Sequence, residues 1–296
     1  MPEMPFPVNY FWGMIHDPVL GLIFIKTLKV SGSSFEAALA PLLSAKALVT
    51  INENWMSEGK KIDAIECRRT TWLPSRHLAL QALRHPREAL NIPMDVLRRR
   101  GPRHEAFSVE KDHISAEQIR AHVGEAEWDR CLKVEIARNP YERLVSYYFM
   151  KKMQSPRPDR FVSFREWIVT NPEIVLKNER LVSLVDEDGH SRPAIDFVLY
   201  YEDMDVGLRS LARLLDLDED LLVARYRSTR IHDGYRPKDA TGSVEHVIDD
   251  ESKVLIDTLK SMRFDRLGYE RSMARIIPMH MSHHVQGVPT ARSAAS

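Results

Sequence analysis

The sequence predicts an α/β fold in three layers, α/β/α, with a central, mainly parallel sheet and helices on both faces. Three observations predict it. Apolar or alternating runs at 19–25, 131–137 and 195–201 read as strands. A helical pattern follows each, through Phe35 and Leu39 in the first case, after Asn139 in the second, and through Leu208, Leu211, Leu214 and Leu215 in the third. Strands that alternate with helices are joined by crossovers, which make parallel sheets covered on both sides. A chain of 296 residues suits one large α/β domain. The expected division is a single domain over 1–276 and a tail over 277–296, which is rich in His, Ser and Ala without periodicity and is expected to be disordered.

The first unit is Val19-Leu-Gly-Leu-Ile-Phe-Ile25, then Lys26-Thr-Leu-Lys-Val-Ser-Gly-Ser-Ser34, then a helix with Phe35, Leu39, Leu42 and Leu43 on one face. Pro41 should kink or end that helix early. Strand, small-residue loop and helix is the order of a P-loop-like phosphate-binding unit. Gly32 with Ser31, Ser33 and Ser34 lets backbone N–H groups approach an anion, and the helix N-terminus adds partial positive charge. Lys29 adds a full charge. The ATPase form G-x-x-x-x-G-K-[ST] is absent, because here the lysine precedes the glycine. Alone, the stretch reads equally well as a solvated Gly/Ser turn.

The second unit starts with His113-Ile-Ser-Ala-Glu-Gln118, where Ser115 and Gln118 form a capping-box pattern that starts a helix and leaves His113 in the loop before it. Cys131–Ala137 then alternates as a strand, and Asn139, Pro140 and Glu142 supply N-cap, first helical position and capping box. Arg138 sits at this junction. Ser146 lies two helical turns beyond Asn139, so the guanidinium and the hydroxyl can converge on one phosphate, with Arg143 a further cation nearby. By itself this also fits Arg138 paired with a core carboxylate. Two anion-ready junctions in one sheet suit a ligand with phosphates at both ends. The third unit runs through Ile195–Tyr201, Glu202 and a helix, with further helices expected near 220–226 and 251–262.

Composition excludes several classes. Lys+Arg and Asp+Glu are 42 each, a net charge of +0, which argues against a nucleic-acid partner. Only Cys67 and Cys131 are present, too few for a disulfide scaffold, and two free thiols in a reducing compartment is the simpler reading. Residues 1–10 lack the basic start of a signal peptide, and Val19–Ile25 is too short to span a membrane. The chain is therefore expected to be cytoplasmic with no transmembrane segment. His280, His283 and His284 are metal-ligand types, but a tail cluster is usually solvated. No metal is expected to be required. Composition is silent on oligomeric state.

With these residues in view, the sequence resembles the sulfotransferases that use 3′-phosphoadenosine 5′-phosphosulfate (PAPS), in particular the carbohydrate branch and its bacterial relatives. Lys29-Val-Ser-Gly-Ser-Ser34 resembles the family's 5′-phosphosulfate loop, K-T-A-G-T-S. Arg138-Asn-Pro-Tyr-Glu-Arg-Leu-Val-Ser146 resembles its 3′-phosphate motif, R-[ND]-P-x-[DE]-R-L-x-S. The Tyr200-Tyr-Glu202 segment and His113, 25 residues before Arg138, also match. The likeness spans about Phe24 to Tyr269.

The resemblance implies sulfuryl transfer from PAPS to an acceptor hydroxyl on a glycan or glycolipid. It implies Lys29 on the leaving oxygen, Ser33, Ser34 and the loop amides on the 5′-phosphate, and Arg138 with Ser146 on the 3′-phosphate. Val30 departs from the family's threonine and removes one hydroxyl contact. His113 is the first candidate for the base, and its intrinsic pKa suits that work; a solvent-facing loop histidine is the plain alternative. Glu53, matching a carboxylate used by some relatives, is the second candidate, with an exposed loop glutamate as its alternative. Arg227 and Arg230 are placed to touch the 3′-phosphate or an anionic acceptor, or to form a solvated face. Trp55, Trp72 and Trp128 offer sugar-stacking surfaces, although core burial is the default for tryptophan. Two rival readings are an ATP-dependent small-molecule kinase and a non-enzymatic nucleotide- or glycan-binding module.

Overall fold

The computed structural model describes residues 14–49, 113–229, 244–259 and 262–269. The chain opens with β1 (Met14–Asp17) and β2 (Leu22–Ile25), an antiparallel hairpin that pairs Met14 with Ile25 and Asp17 with Leu22. The run expected as one strand from Val19 is thus a strand only from Leu22. Asp17 Oδ1 accepts the N–H groups of Val19 and Leu20 at 2.9 and 3.1 Å and turns the chain, and Gly21 takes the positive φ (65°) that completes the turn. Val19 ends up 61% exposed.

After β2 comes α1 (Gly32–Leu39), which stops where Pro41 predicts and passes into a 3-10 turn over Ala40–Leu42. β3 (Leu48–Val49) adds to the outer side of β1. The chain returns in α2 (Ala116–Val123), whose capping box of Ser115 and Gln118 closes as expected, then α3 (Glu125–Arg130), β4 (Leu132–Ala137) and α4 (Pro140–Gln154). α5 (Phe164–Thr170), α6 (Lys177–Leu181) and the small hairpin β5 (Ser183–Val185) and β6 (Ser191–Pro193) follow, none of them anticipated. β7 (Phe197–Tyr200), α7 (Met204–Leu215) and α8 (Glu219–Ser228) complete the third unit. α9 (Asp250–Thr258) and α10 (Met262–Arg266) stand where one helix over 251–262 was expected.

The sheet order is β3-β1-β2-β4-β7. β2, β4 and β7 are mutually parallel and only β1 runs against them, so the sheet is mainly parallel as predicted. Its two faces carry separate cores. Along β2, Leu22 and Phe24 join Phe35, Leu39, Leu208 and Leu211 beneath α1 and α7, while Ile23 and Ile25 join Tyr141, Leu144 and Val145 beneath α4. Phe24 and Phe35 meet edge-on at 4.7 Å between centroids. Each such buried side chain contributes about 1.5–3 kcal/mol, so the two-sided apolar pattern itself enforces three layers. Leu214, expected inward, points to solvent instead (44% exposed), since α7 already presents Leu208, Leu211 and Leu215 to the core. Among the described residues no helix is long and apolar enough to cross a membrane.

The tail at 277–296, with His280, His283 and His284, lies outside the described residues, as do Cys67, Glu53, Arg230, Trp55 and Trp72.

Candidate active site

The carboxyl ends of the parallel strands β2, β4 and β7 lie side by side, the place where open α/β sheets receive ligands. Beyond β2 the backbone takes an unusual path. Lys29 and Ser31 both have left-handed φ, 59° and 68°. Side chains with a Cβ disfavour that region, so the surroundings must hold the loop.

Four contacts do so. Asn178 of α6, wholly buried, accepts the Leu28 N–H at 2.9 Å and donates to the Leu28 carbonyl at 3.0 Å. Thr27 Oγ1 donates to the Ile136 carbonyl at 3.0 Å and ties the loop to β4. Lys26 Nζ pairs with Glu36 Oε2 of α1 at 2.6 Å, both buried. Tyr226 of α8 donates its hydroxyl to Ser31 Oγ at 3.1 Å. Gly32 is needed for space: a Cβ there would come within 2.9 Å of Lys26 Cγ. Ser33 and Ser34 sit in the first turn of α1, where amides and the helix dipole favour an anion. Val30 is buried in the core, so at this position only its backbone is available to a ligand.

The second junction joins the first. Arg138 Nη1 donates to the Lys29 carbonyl at 3.3 Å, and Nη2 pairs with Glu142 Oε2 at 3.2 Å. Its guanidinium lies over the Tyr201 ring, 4.3 Å from the centroid. Arg138 Nε is buried and has no partner among the described residues. Asn139 caps α4 as predicted, with Oδ1 accepting from Tyr141 and Glu142 N–H at 3.0 and 3.2 Å. The predicted capping box stays half-built. Glu142 turns to the Arg138 guanidinium, a charged partner that outcompetes a neutral amide. The Asn139 N–H instead donates to Glu202 Oε1 at 2.7 Å, and Tyr269 fixes the other oxygen of Glu202 at 2.7 Å. Ser146 lies two turns along α4, half-buried. Arg143 is not a cation of the site; it is buried and donates to the carbonyls of Ile174 and Val175 at 3.0 and 2.9 Å.

His113 closes the arrangement. Its Nδ1 lies 2.9 Å from the Lys26 carbonyl. A carbonyl only accepts, so Nδ1 carries the hydrogen and Nε2 is left with its lone pair. Burial, with the charges of Lys26, Lys177 and Lys29, pushes its pKa down to about 3 and keeps the ring neutral. Burial and the neighbouring Arg138 lower the Lys29 ammonium to about 8, so it remains charged at neutral pH. A cleft of about 980 Å³ lies between the far half of α4, α5 and α6, with Tyr147, Trp167 and Asn171 among its walls and Lys151, Lys177 and Arg180 as its cations; Lys29, residues 30–34, His113, Arg138 and Ser146 do not line it. Trp128, by contrast, is core (4% exposed), and Arg227 is exposed and paired with Asp205.

The residues brought together are Lys29, the 30–34 loop, Arg138 and His113. The residues that sequence reasoning missed are Asn178 and Tyr226, and Tyr201 lay in the Tyr200-Tyr-Glu202 segment without an assigned role. Asn178 leaves no local signal, since its work is done on a backbone 150 positions away. The set can hold two anionic groups, neutralise charge on a departing oxygen, and accept a proton at an imidazole.

Comparison with curated proteins and with solved structures yields no match. A family model described as the sulfotransferase family matches residues 12–269, which includes every described part of the site. The chain belongs to the sulfotransferase family and transfers sulfuryl groups.

Proposed function

We propose that this sulfotransferase takes its sulfuryl group from PAPS and passes it to a hydroxyl of a glycan or glycolipid. The observation that carries the reading is the Arg138–Lys29 contact, which merges two anion-ready junctions into one site with an unpartnered buried N–H still available. In this reading Ser33, Ser34 and the amides of 30–34 hold the 5′-phosphate. Arg138 and Ser146 hold the 3′-phosphate, and Lys29 faces the bridging oxygen. The acceptor oxygen attacks sulfur, the bond from sulfur to the bridging oxygen breaks, and the acceptor proton passes to His113 Nε2. 3′-Phosphoadenosine 5′-phosphate departs with its charge on Lys29. The chemistry is mostly positioning and charge stabilisation, as in phosphoryl transfer. The cations of the cleft, Lys151, Lys177 and Arg180, support an acceptor sugar that carries acidic groups. The free thiol of Cys131 is compatible with a cytoplasmic setting. Glu53 and Arg230 keep their proposed roles as alternative base and phosphate contact, on the family likeness alone.

The test is calorimetric binding of 3′-phosphoadenosine 5′-phosphate, with ADP and ATP-Mg²⁺ as controls. The expected outcome is selective binding of the 3′-phosphorylated nucleotide, weakened about 10- to 100-fold in Arg138→Ala by loss of a charge-assisted contact of roughly 1.5–3 kcal/mol. Preference for ATP-Mg²⁺ would replace this reading with a kinase.

A further inference from the structure

The opposite end of the sheet holds a second chemical cluster that sulfuryl transfer does not use. His16 is on β1, Glu127 is on α3, and Cys131 follows α3 directly before β4. Along β4, Cys131 and Arg138 are separated by about 20 Å of extended chain. His16 Nε2 lies 2.9 Å from Glu127 Oε1, and Cys131 Sγ lies 3.3 Å from the same oxygen. One ligand atom from each of the three residues falls within 4.8 Å of the others. His16 and Glu127 are half-buried and Cys131 is buried, so the cluster is a lined recess, unlike the fully exposed Asp186, Asp188 and His190 turn.

We propose that His16, Glu127 and Cys131 form a zinc site that clasps the β1–β2 hairpin to α3, with water in the fourth position. The donor set is imidazole, carboxylate and thiolate, the set that Zn²⁺ takes and Mg²⁺ or Ca²⁺ does not. Tetrahedral zinc with these bond lengths separates its ligand atoms by about 3.3–3.8 Å. The spacings to Glu127 Oε1, 2.9 and 3.3 Å, lie at or just below that range, and the three ligand atoms stay within 4.8 Å of one another, so the cluster must open slightly to admit the ion. Glu127 and Cys131, four apart at the end of α3, present both ligands on one face. Arg130 grips both oxygens of Glu127, with Nη2 2.6 Å from Oε1, the oxygen that faces His16 and Cys131, and with Nε 3.1 Å and Nη2 2.9 Å from Oε2, while Nη2 also reaches the Pro18 carbonyl at 2.6 Å. This is the outer hydrogen bonding that orients a metal-bound carboxylate. Binding replaces the Cys131 thiol proton with the metal, so one proton leaves per ion.

The experiment is a Co²⁺ titration of chelator-treated full-length chain. A Cys67→Ser, His190→Ala, His280→Ala, His283→Ala, His284→Ala background removes the other thiol, the exposed Asp186–His190 cluster's imidazole and the tail histidines. One saturating equivalent is expected, with a thiolate-to-cobalt charge-transfer band in the near ultraviolet that Zn²⁺ abolishes by displacement. Calorimetry in buffers of different ionisation heat should show about one proton released per ion. Cys131→Ser should lose the band, and His16→Gln should weaken affinity at least tenfold. Zn²⁺ should raise the melting temperature of the background protein but not of Glu127→Gln, a readout that stands even if Cys131→Ser folds poorly. Absence of a saturable band, or a band that survives Cys131→Ser, overturns the proposal. Sulfotransfer rates do not enter the test.

Discussion

As the proposed base, His113 has a strength that depends on what lies beside it. Three lysines and burial hold its pKa near 3, too weak to pull a proton from an alcohol efficiently. An anionic phosphosulfate on Lys29 and the loop would offset those same charges. Binding of 3′-phosphoadenosine 5′-phosphate is therefore expected to raise the His113 pKa, measured by histidine NMR with His113→Gln for assignment. An unmoved resonance would separate the base from the anion site. The sign on the rate follows. The base must be neutral, and it is neutral above about 3, so kcat/KM should show no acid limb from His113 between pH 5 and 7. Lys29 must be charged, and its pKa is about 8, so kcat/KM should fall about tenfold per unit above that. His113→Ala should cost about 10²- to 10⁴-fold in kcat. At this scale the sequence was informative wherever a catalytic type sat next to a strong local signal. His113 precedes a capping box and Arg138 precedes an Asn-Pro cap. It misplaced Arg143 as a cation of the site, because nothing local distinguishes an arginine that serves a ligand from one that binds two buried carbonyls.

At the scale of elements, the loop owes its shape to pieces that sequence reading left blank. The region between α4 and β7 has short helices and a short hairpin, and no run in it is long enough for periodicity to stand out. Yet α6 delivers Asn178, which satisfies both the donor and the acceptor of Leu28. The β1–β2 turn was misread for a related reason: Asp17, just before the apolar run, draws the run's first two residues into the turn through its side chain. Replacing Asn178 by Leu keeps the approximate volume and leaves two buried backbone groups unpaired. The expected cost is about 2–4 kcal/mol in urea denaturation. In protein that is still folded, KM for the sulfuryl donor should rise more than kcat falls, because the loop proposed to bind the donor loses its clamp. Unchanged stability together with an unchanged donor KM would remove α6 from the account.

At the scale of the molecule, the parallel sheet and its two cores follow from the continuous apolar runs of β2 and β7 and the apolar end of β4, which local reading captures. What local reading cannot supply is the stress the fold carries at the carboxyl edge of that sheet. The loop holds two non-glycine residues at left-handed φ and a half-buried lysine against an arginine. Lys29 has a pKa of about 8 in the fold against 10.5 for a lysine in water. The unfolded chain therefore binds more protons between those values. Stability should rise from this group as pH climbs from about 8 to 10.5, and its full penalty is present below 8. That penalty is on the order of 1–3 kcal/mol. Lys29→Met keeps the stem and removes the charge. At pH 7 and without nucleotide it should melt a few degrees above the parent protein and lack the parent's gain in stability above pH 8. Its turnover should fall by about 10²- to 10³-fold with the loss of leaving-group stabilisation. Calorimetric melting beside a sulfotransfer assay measures both. A variant that melts no higher than its parent would mean the lysine costs the fold nothing, while a stabilised and inactive variant would show that this edge is held strained for the anion it binds.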